Sequence, residues 1–178
     1  ESFRLNHYRG ATDVVAHYLN LVPDSRIFSG KGFILGGSFA NELKLKPGVR
    51  VGDLSANLIE NINPVVNMFR VPGKKVALMQ DWSQKLPALV EASIGKDVTN
   101  ISGVPSWFLT VIKRVLERTG ASCIHEVWPH LEVFFHGGIA FAPYRAQYEQ
   151  LCDMSRMHFL DTYNASEGFF AVQSSWDT

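Results

Sequence analysis

No stretch of this 178-residue chain approaches the run of about 20 apolar residues that a membrane-spanning helix needs. The first residues lack the basic-then-apolar order of a secretory signal. An excess of charge of one sign is missing too: 17 lysines and arginines face 17 aspartates and glutamates, for a net charge of zero. Proteins that hold nucleic acid or lie on a membrane surface usually carry a basic excess, so the balance argues against both partners. Cysteine is scarce. Cys123 and Cys152 form no framework pattern and suit a reducing, cytoplasmic setting. Internal repeats, low-complexity tracts and linkers long enough to divide domains are lacking. What is present is ordinary globular composition, 46% hydrophobic and 19% charged, in a length that suits one domain with a sizeable core. The chain opens at Glu1-Ser2-Phe3 without Met and stops at Trp176-Asp177-Thr178 just after an apolar run, so it is expected to be a piece of a longer protein.

Helical and strand-like patterns alternate. Phe3, Val14, Val15, Tyr18 and Leu19 suit a helix that ends near Pro23. The apolar run at 27–37, bounded by glycines, reads as a buried strand entering a loop. Residues 41–48 are polar and lysine-bearing, a surface loop. A helix is expected from 53 to about 61, broken at Asn61-Ile62-Asn63-Pro64 and resuming to 69. Another spans 76 to about 92, with Pro87 kinking or dividing it. Residues 98–102 read as a strand. Ser106-Trp107-Phe108-Leu109 then opens a helix whose stripe of Phe108, Val111, Ile112, Val115 and Leu116 ends at a capping Gly120. Beyond it, 131–135 is a strand, 143–152 a helix, 157–162 a strand and 169–172 the next strand. Strands alternating with helices predict an α/β domain, a largely parallel or mixed sheet with helical crossovers.

In an open α/β sheet, ligands bind beyond the carboxyl ends of the strands. Three strand exits are therefore candidates: Ser102-Gly103-Val104-Pro105, His136-Gly137-Gly138, and the turn Tyr163-Asn164-Ala165-Ser166-Glu167-Gly168. If the strands are parallel, one cleft can use all three. Tyr163 offers a flat face on which a nucleobase can stack. Ser166 supplies a hydroxyl for a phosphate oxygen, and Glu167 is a hard oxygen ligand suited to Mg2+. Gly168 permits backbone geometry that other residues resist. The bland alternative is a polar turn with Glu167 merely solvated, and spacing alone favours it. Gly137 and Gly138 let backbone approach a flat ligand closely, or make a tight exit and nothing more. His136 is expected to be a satisfied, partly buried histidine rather than a site residue. Trp107 and Phe108 can wall an organic-acid pocket or pack in the core.

Other patterns fall short. Gly30-Lys31-Gly32 with Gly36-Gly37 has neither phosphate-loop spacing nor G-x-G-x-x-G, and reads as structural. His125 and His130, five apart around a proline, fit no metal spacing. Cys123 and Cys152 show no base partner, and Ser102 and Ser106 lack the G-x-S-x-G elbow.

The segments Leu131-Glu132-Val133-Phe134-Phe135-His136-Gly137-Gly138, Pro143-Tyr144-Arg145, and Thr162-Tyr163-Asn164-Ala165-Ser166-Glu167-Gly168-Phe169-Phe170 resemble the auxin-responsive (Gretchen Hagen) family of acyl-acid amido synthetases, more specifically its bacterial members. Asn6-His7-Tyr8-Arg9-Gly10, Phe28-Ser29-Gly30-Lys31-Gly32, Val51-Gly52-Asp53-Leu54-Ser55 and Ser102-Gly103-Val104-Pro105-Ser106-Trp107 extend the resemblance over residues 1–176. It implies a single α/β fragment, 1–178, of the large N-terminal domain of an adenylate-forming enzyme, related to acyl-CoA synthetases and luciferases.

The resemblance also implies two chemical steps. ATP and a small-molecule carboxylic acid give an acyl adenylate and pyrophosphate, and an amino acid amine then displaces AMP to form an amide. The superfamily's motif of tyrosine, then serine or threonine three residues on, then glutamate falls on Tyr163, Ser166 and Glu167. By that match Tyr163 packs on adenine, Asn164 and Ala165 belong to the nucleotide-binding segment, Ser166 contacts the α-phosphate, and Glu167 coordinates Mg2+. Ser166 and Glu167 are the implied catalytic residues, and ATP and Mg2+ the implied cofactors. Gly137 and Gly138 match the glycine pair beside the adenine, and Val104, Pro105 and Trp107 border the acyl pocket. The family's Ser/Thr/Gly-rich phosphate loop, ribose-binding aspartate and C-terminal domain with its mobile lysine have no counterpart here, so the isolated chain is expected to be inactive. A thiol acceptor giving an acyl-CoA, and a non-catalytic nucleotide- or acid-binding fragment, are the alternatives.

Overall fold

The computed structural model describes residues 2–40 and 51–176; the loop expected at 41–48 lies outside them. The helices are α1 (Phe3–Leu21), α2 (Leu54–Glu60), α3 (Pro64–Met68), α4 (Lys74–Ala77), α5 (Trp82–Ser93), α6 (Pro105–Thr119), α7 (Ile124–Val127) and α8 (Ala142–Leu151). The strands are β1 (Lys31–Ile34), β2 (Phe39–Ala40), β3 (Val51–Gly52), β4 (Arg70–Val71), β5 (Val98–Gly103), β6 (Val133–Gly137), β7 (His158–Ala165) and β8 (Gly168–Val172). Six of them form one sheet in the order β4-β1-β5-β6-β7-β8, and β2 pairs with β3 apart from it. The first five strands in that order run parallel, joined through helices, and β8 folds back antiparallel on β7. The α/β class and mixed, mostly parallel sheet expected from the alternating patterns are what the chain adopts.

The two faces of the sheet bury different sets. Phe33, Ile101 and Phe134 point to a large cluster closed by Leu89 and Val90 of α5, Phe108, Val111, Ile112 and Val115 of α6, Ile124 of α7 and Tyr148 of α8. Val133, Phe135 and Leu160 point the other way, under Val14 and Tyr18 of α1. β6 is therefore covered on both faces, which is why its sequence is a continuous apolar run rather than an alternation. The stripe on α6 buries at i, i+3, i+4 and i+7 from Phe108, and Gly120 closes the helix at φ +73.

Two helical details differ from the sequence reading. The segment at 76–92 is not divided at Pro87. It breaks earlier, at 78–81, where Asp81 caps a new helix by accepting from the Ser83 amide at 2.9 Å, and Pro87 sits inside α5. A one-turn helix, α7, occupies 124–127 where no periodic signal stands, held by Glu126, whose carboxylate accepts from the Ser122 and Cys123 amides. Among the described residues, no helix is long and apolar enough to cross a membrane.

Candidate functional site

Parallel strands bring their carboxyl ends to one edge, and the register fixes how the exits meet. Gly103 pairs with His136, and Gly137 pairs with Thr162. Gly138 follows in the left-handed region at φ +84, and a Cβ built on it would stand 3.4 Å from Val104 Cγ2. The glycine exit and the start of α6 are thus in contact.

The third exit is not the six-residue turn its sequence suggests. β7 continues through Tyr163, Asn164 and Ala165, past the Thr162–Gly137 pair that ends β6, and only Ser166 and Glu167 form the turn. The physical reason is β8. Once it turns back, Tyr163 pairs with Ala171, Asn164 with Phe169 and Ala165 with Gly168, so the backbone groups of 163–165 have ladder partners even where β6 has stopped. The result is a hairpin projecting beyond the edge. Tyr163 is 61% exposed, its ring 5.4 Å from that of Phe170, and Asn164, Ser166 and Glu167 are exposed while Ala165 is half-buried.

One glycine role is corrected, and a second glycine gains a structural reason. Gly168 does not supply unusual backbone geometry; it begins β8, buried, and a Cβ there would lie 3.0 Å from Asn6 Oδ1. Gly137 is held to glycine by β7, a Cβ there falling 2.4 Å from the Thr162 carbonyl oxygen.

The hairpin is held from behind by α1. Asn6 Oδ1 accepts from the Phe169 amide at 2.9 Å, a ring nitrogen of buried His7 bonds the Ala165 carbonyl at 2.8 Å, and Gly10 leaves room for the Phe169 ring. Sequence reasoning missed these residues as site supports. The available signal was the Asn6-His7-Tyr8-Arg9-Gly10 stretch, whose polar side chains sit on an otherwise amphipathic helix.

On the other side of the glycine exit, Pro105 is buried, its carbonyl accepting from the Tyr148 hydroxyl at 2.8 Å. Trp107 and Phe108 divide the two roles left open for them. Phe108 is fully buried, whereas Trp107 is 44% exposed and stands 6.3 Å, ring to ring, from Trp82, itself 39% exposed at the start of α5. Trp82 was not foreseen, although an aromatic residue directly after the capping Asp81 is a readable signal.

His136 is neither half-exposed nor satisfied. It is 3% exposed, stacked on Phe141 at 4.3 Å, and its Nδ1 has no hydrogen bond, the Asp161 carboxylate standing 3.4 Å away. Burial lowers its pKa to about 4, against the pull of Asp161 in the other direction and with a smaller push from Arg145.

Cys123 does have a basic neighbour, with Sγ 3.9 Å from His125 Nδ1. That nitrogen also accepts from the Asp153 amide, and the other ring nitrogen of His125 bonds the Leu131 carbonyl, while His130 faces Asp97, so the two histidines serve separate contacts. Cys152 is buried, its thiol pushed up to about 12. Gly36 and Gly37 are structural: their carbonyls accept from the buried Lys85 ammonium, and a Cβ on Gly37 would collide with Asp53. Among the described residues no cluster of three or more His, Cys, Asp or Glu could hold a metal alone.

Residues 25–157, well over half of the chain, match the GH3 family N-terminal domain. That span contains Val104, Pro105, Trp107, Gly137 and Gly138, and stops short of the Tyr163–Glu167 tip. No curated protein matches the chain.

Proposed function

The chain belongs to the GH3 family, and from that membership we propose that it is the nucleotide- and acid-seating part of an ATP-dependent ligase that adenylates a carboxylic acid and passes the acyl group to an amino acid amine. One observation carries this most directly: Thr162, which leads into the Tyr163–Glu167 hairpin, pairs with Gly137, and Gly138 stands beside Val104 at the start of α6, so the three exits leave the same sheet edge. An edge of this kind is where open α/β sheets take their ligands.

On this reading the exposed face of Tyr163 takes the adenine, flanked by Asn164, Ala165 and the Gly137-Gly138 exit. The Ser166 hydroxyl donates to an α-phosphate oxygen. Glu167, an exposed carboxylate at the tip, would hold Mg2+. One carboxylate suits that ion, which binds substrate phosphates and keeps water as well. When bound, the ion neutralises charge as one anion approaches another. The acid's carboxylate oxygen attacks the α-phosphorus and pyrophosphate leaves; the amine nitrogen then attacks the carbonyl carbon and AMP leaves. Val104, Pro105 and Trp107 border the acid, with Trp82 completing an exposed aromatic wall. The partners are small molecules, neither nucleic acid nor membrane, and the setting is cytoplasmic, where two free thiols stay reduced.

The test is pyrophosphate release by the protein that carries this chain, measured over a panel of carboxylic acids. Glu167→Gln is expected to lower acid-dependent release about 100-fold or more, the scale of losing one electrostatic stabiliser. Unchanged turnover at saturating Mg2+ would remove Glu167 from the site. AMP release driven by amino acids but not by coenzyme A selects the amine acceptor over the thiol.

A further inference from the structure

The buried cation of β4 lies far from that edge and takes no part in the reaction above. Arg70 is 5% exposed, its Nε donating to Asn67 Oδ1 at 2.9 Å. Both terminal nitrogens of its guanidinium are buried and have no hydrogen-bond acceptor among the described residues. No described carboxylate pairs with it either. Arg70 pairs with Gly32, near the amino end of β1, and three strands separate β4 from the β7 hairpin.

The strands beside Arg70 bring polar groups to its face. Cross-strand partners point to one face, so Arg70, Gly32, Asn100 and Val133 form a row on the face that α1 covers farther along. No residue of β1 or β4 joins the apolar cluster under α1. Gly32 contributes no side chain, and the Asn100 amide leans over it, a Cβ there falling 2.8 Å from Asn100 Oδ1. Lys31, the residue before Gly32, adds a second positive charge at this end of the sheet, its ammonium donating to the Met68 carbonyl.

A guanidinium is always charged, and its two terminal nitrogens present parallel donors that match two oxygens of one planar or tetrahedral anion. Buried charges are retained where they are paired. We propose that Arg70 is an oxyanion seat, taking a carboxylate or phosphate group that offers two oxygens to its terminal nitrogens, and that this seat is independent of the nucleotide edge. The group comes either from a side chain of the protein or from a free small anion, and the chemistry of recognition is the same.

Thermal melting of the protein carrying this chain separates the sources. Wild type, Arg70→Met and Arg70→Lys are compared in inorganic phosphate and in chloride of equal ionic strength. A melting midpoint that rises saturably with phosphate in wild type, and not in Arg70→Met, identifies a free anion. If phosphate has no specific effect but Arg70→Met melts about 4 °C or more below wild type and Arg70→Lys recovers part of that loss, its ammonium supplying the charge without the fork, the oxyanion is a carboxylate of the protein. The proposal is overturned if Arg70→Met melts with wild type in both salts, if phosphate protects Arg70→Met equally, or if Arg70→Lys is as damaged as Arg70→Met.

Discussion

Gly137→Ala tests whether the candidate edge is built by close strand contact. A Cβ at this position would sit 2.4 Å from the Thr162 carbonyl oxygen and 2.8 Å from Thr162 Oγ1. Carbon–oxygen contacts rarely go below about 3.3 Å, so the new methyl lies roughly 1 Å too close to backbone. Rotating the Thr162 side chain, which donates to the His136 carbonyl at 3.0 Å, relieves only the lesser clash. β6 and β7 must therefore part at their last pair. Overpacking of this kind costs about 1–3 kcal/mol, and a weakened ladder bond adds about 1 kcal/mol. In a domain of this size each kcal/mol moves the melting midpoint by about 2–4 °C, so a total of about 3 kcal/mol gives a drop of about 6–12 °C. Gly120→Ala is the control, since its φ is +73 but nothing lies within 4 Å of the added carbon. It carries backbone strain alone, about 1 kcal/mol, and a drop of about 2–4 °C. Circular dichroism melts of both variants, and of Gly137→Ala combined with Thr162→Ala, check the reasoning. A Gly137→Ala midpoint within 2 °C of wild type, or full rescue by Thr162→Ala, would refute it, because the predicted obstruction is a main-chain oxygen that no side-chain change removes.

Tyr163→Ala is expected to weaken ATP more than the acid, and an equal loss for both in pyrophosphate-release kinetics contradicts stacking. Asn6→Ala leaves the half-buried Phe169 amide without its acceptor, so hydrogen exchange should quicken at Phe169 and the Michaelis constant for ATP should rise, while exchange at β5 stays unchanged. His136 has a folded pKa lowered to about 4 from its ordinary 6.5, with Asp161 and Arg145 the charged groups beside it. Between those values the unfolded chain binds the extra proton, so this histidine's contribution is complete above about pH 6.5 and is lost as pH falls towards 4, a swing of up to about 3 kcal/mol. Denaturant melts across that window should slope less in His136→Phe than in wild type.

The regular part of the fold was legible because periodicity and capping agree there. α6 announced itself by its stripe and by Gly120, and β6 by an apolar run that only a strand covered on both faces tolerates. The break before α5 was misplaced because a proline draws the eye, yet Pro87 is accommodated inside the helix and the working signal is the capping Asp81. α7 is one turn stabilised by Glu126 reaching back to two amides, too short for any period to register. At the candidate site, Tyr163 to Glu167 stood out as a rich cluster, but its conformation did not. Whether 163–165 is turn or strand depends on β8 returning to pair with it, which is tertiary information. The roles of Gly137 and Gly168 were hidden for the same reason, because each is set by a neighbour distant in sequence.

That dependence on distant neighbours says what keeps the tip in place. β6 ends at Gly137, so among the described residues 163–165 have no sheet partner on that side, and a two-stranded ribbon alone is marginal in water. The missing restraint comes from the first three turns of α1. The Asn6 side-chain oxygen accepts from the Phe169 amide, His7 takes the Ala165 carbonyl 158 residues away, and Gly10 admits the Phe169 ring so that helix and ribbon can approach. These contacts reach main-chain atoms and the ring, and leave the Tyr163, Ser166 and Glu167 side chains free to face outwards. The helix therefore fixes the ribbon's backbone without consuming its chemistry, which is what the proposed role as a preorganised tip requires. The Asn-His-Tyr-Arg-Gly stretch near one end of the chain and the Tyr-to-Glu stretch near the other are thus two halves of one structural unit, and damage to the first should be felt at the second.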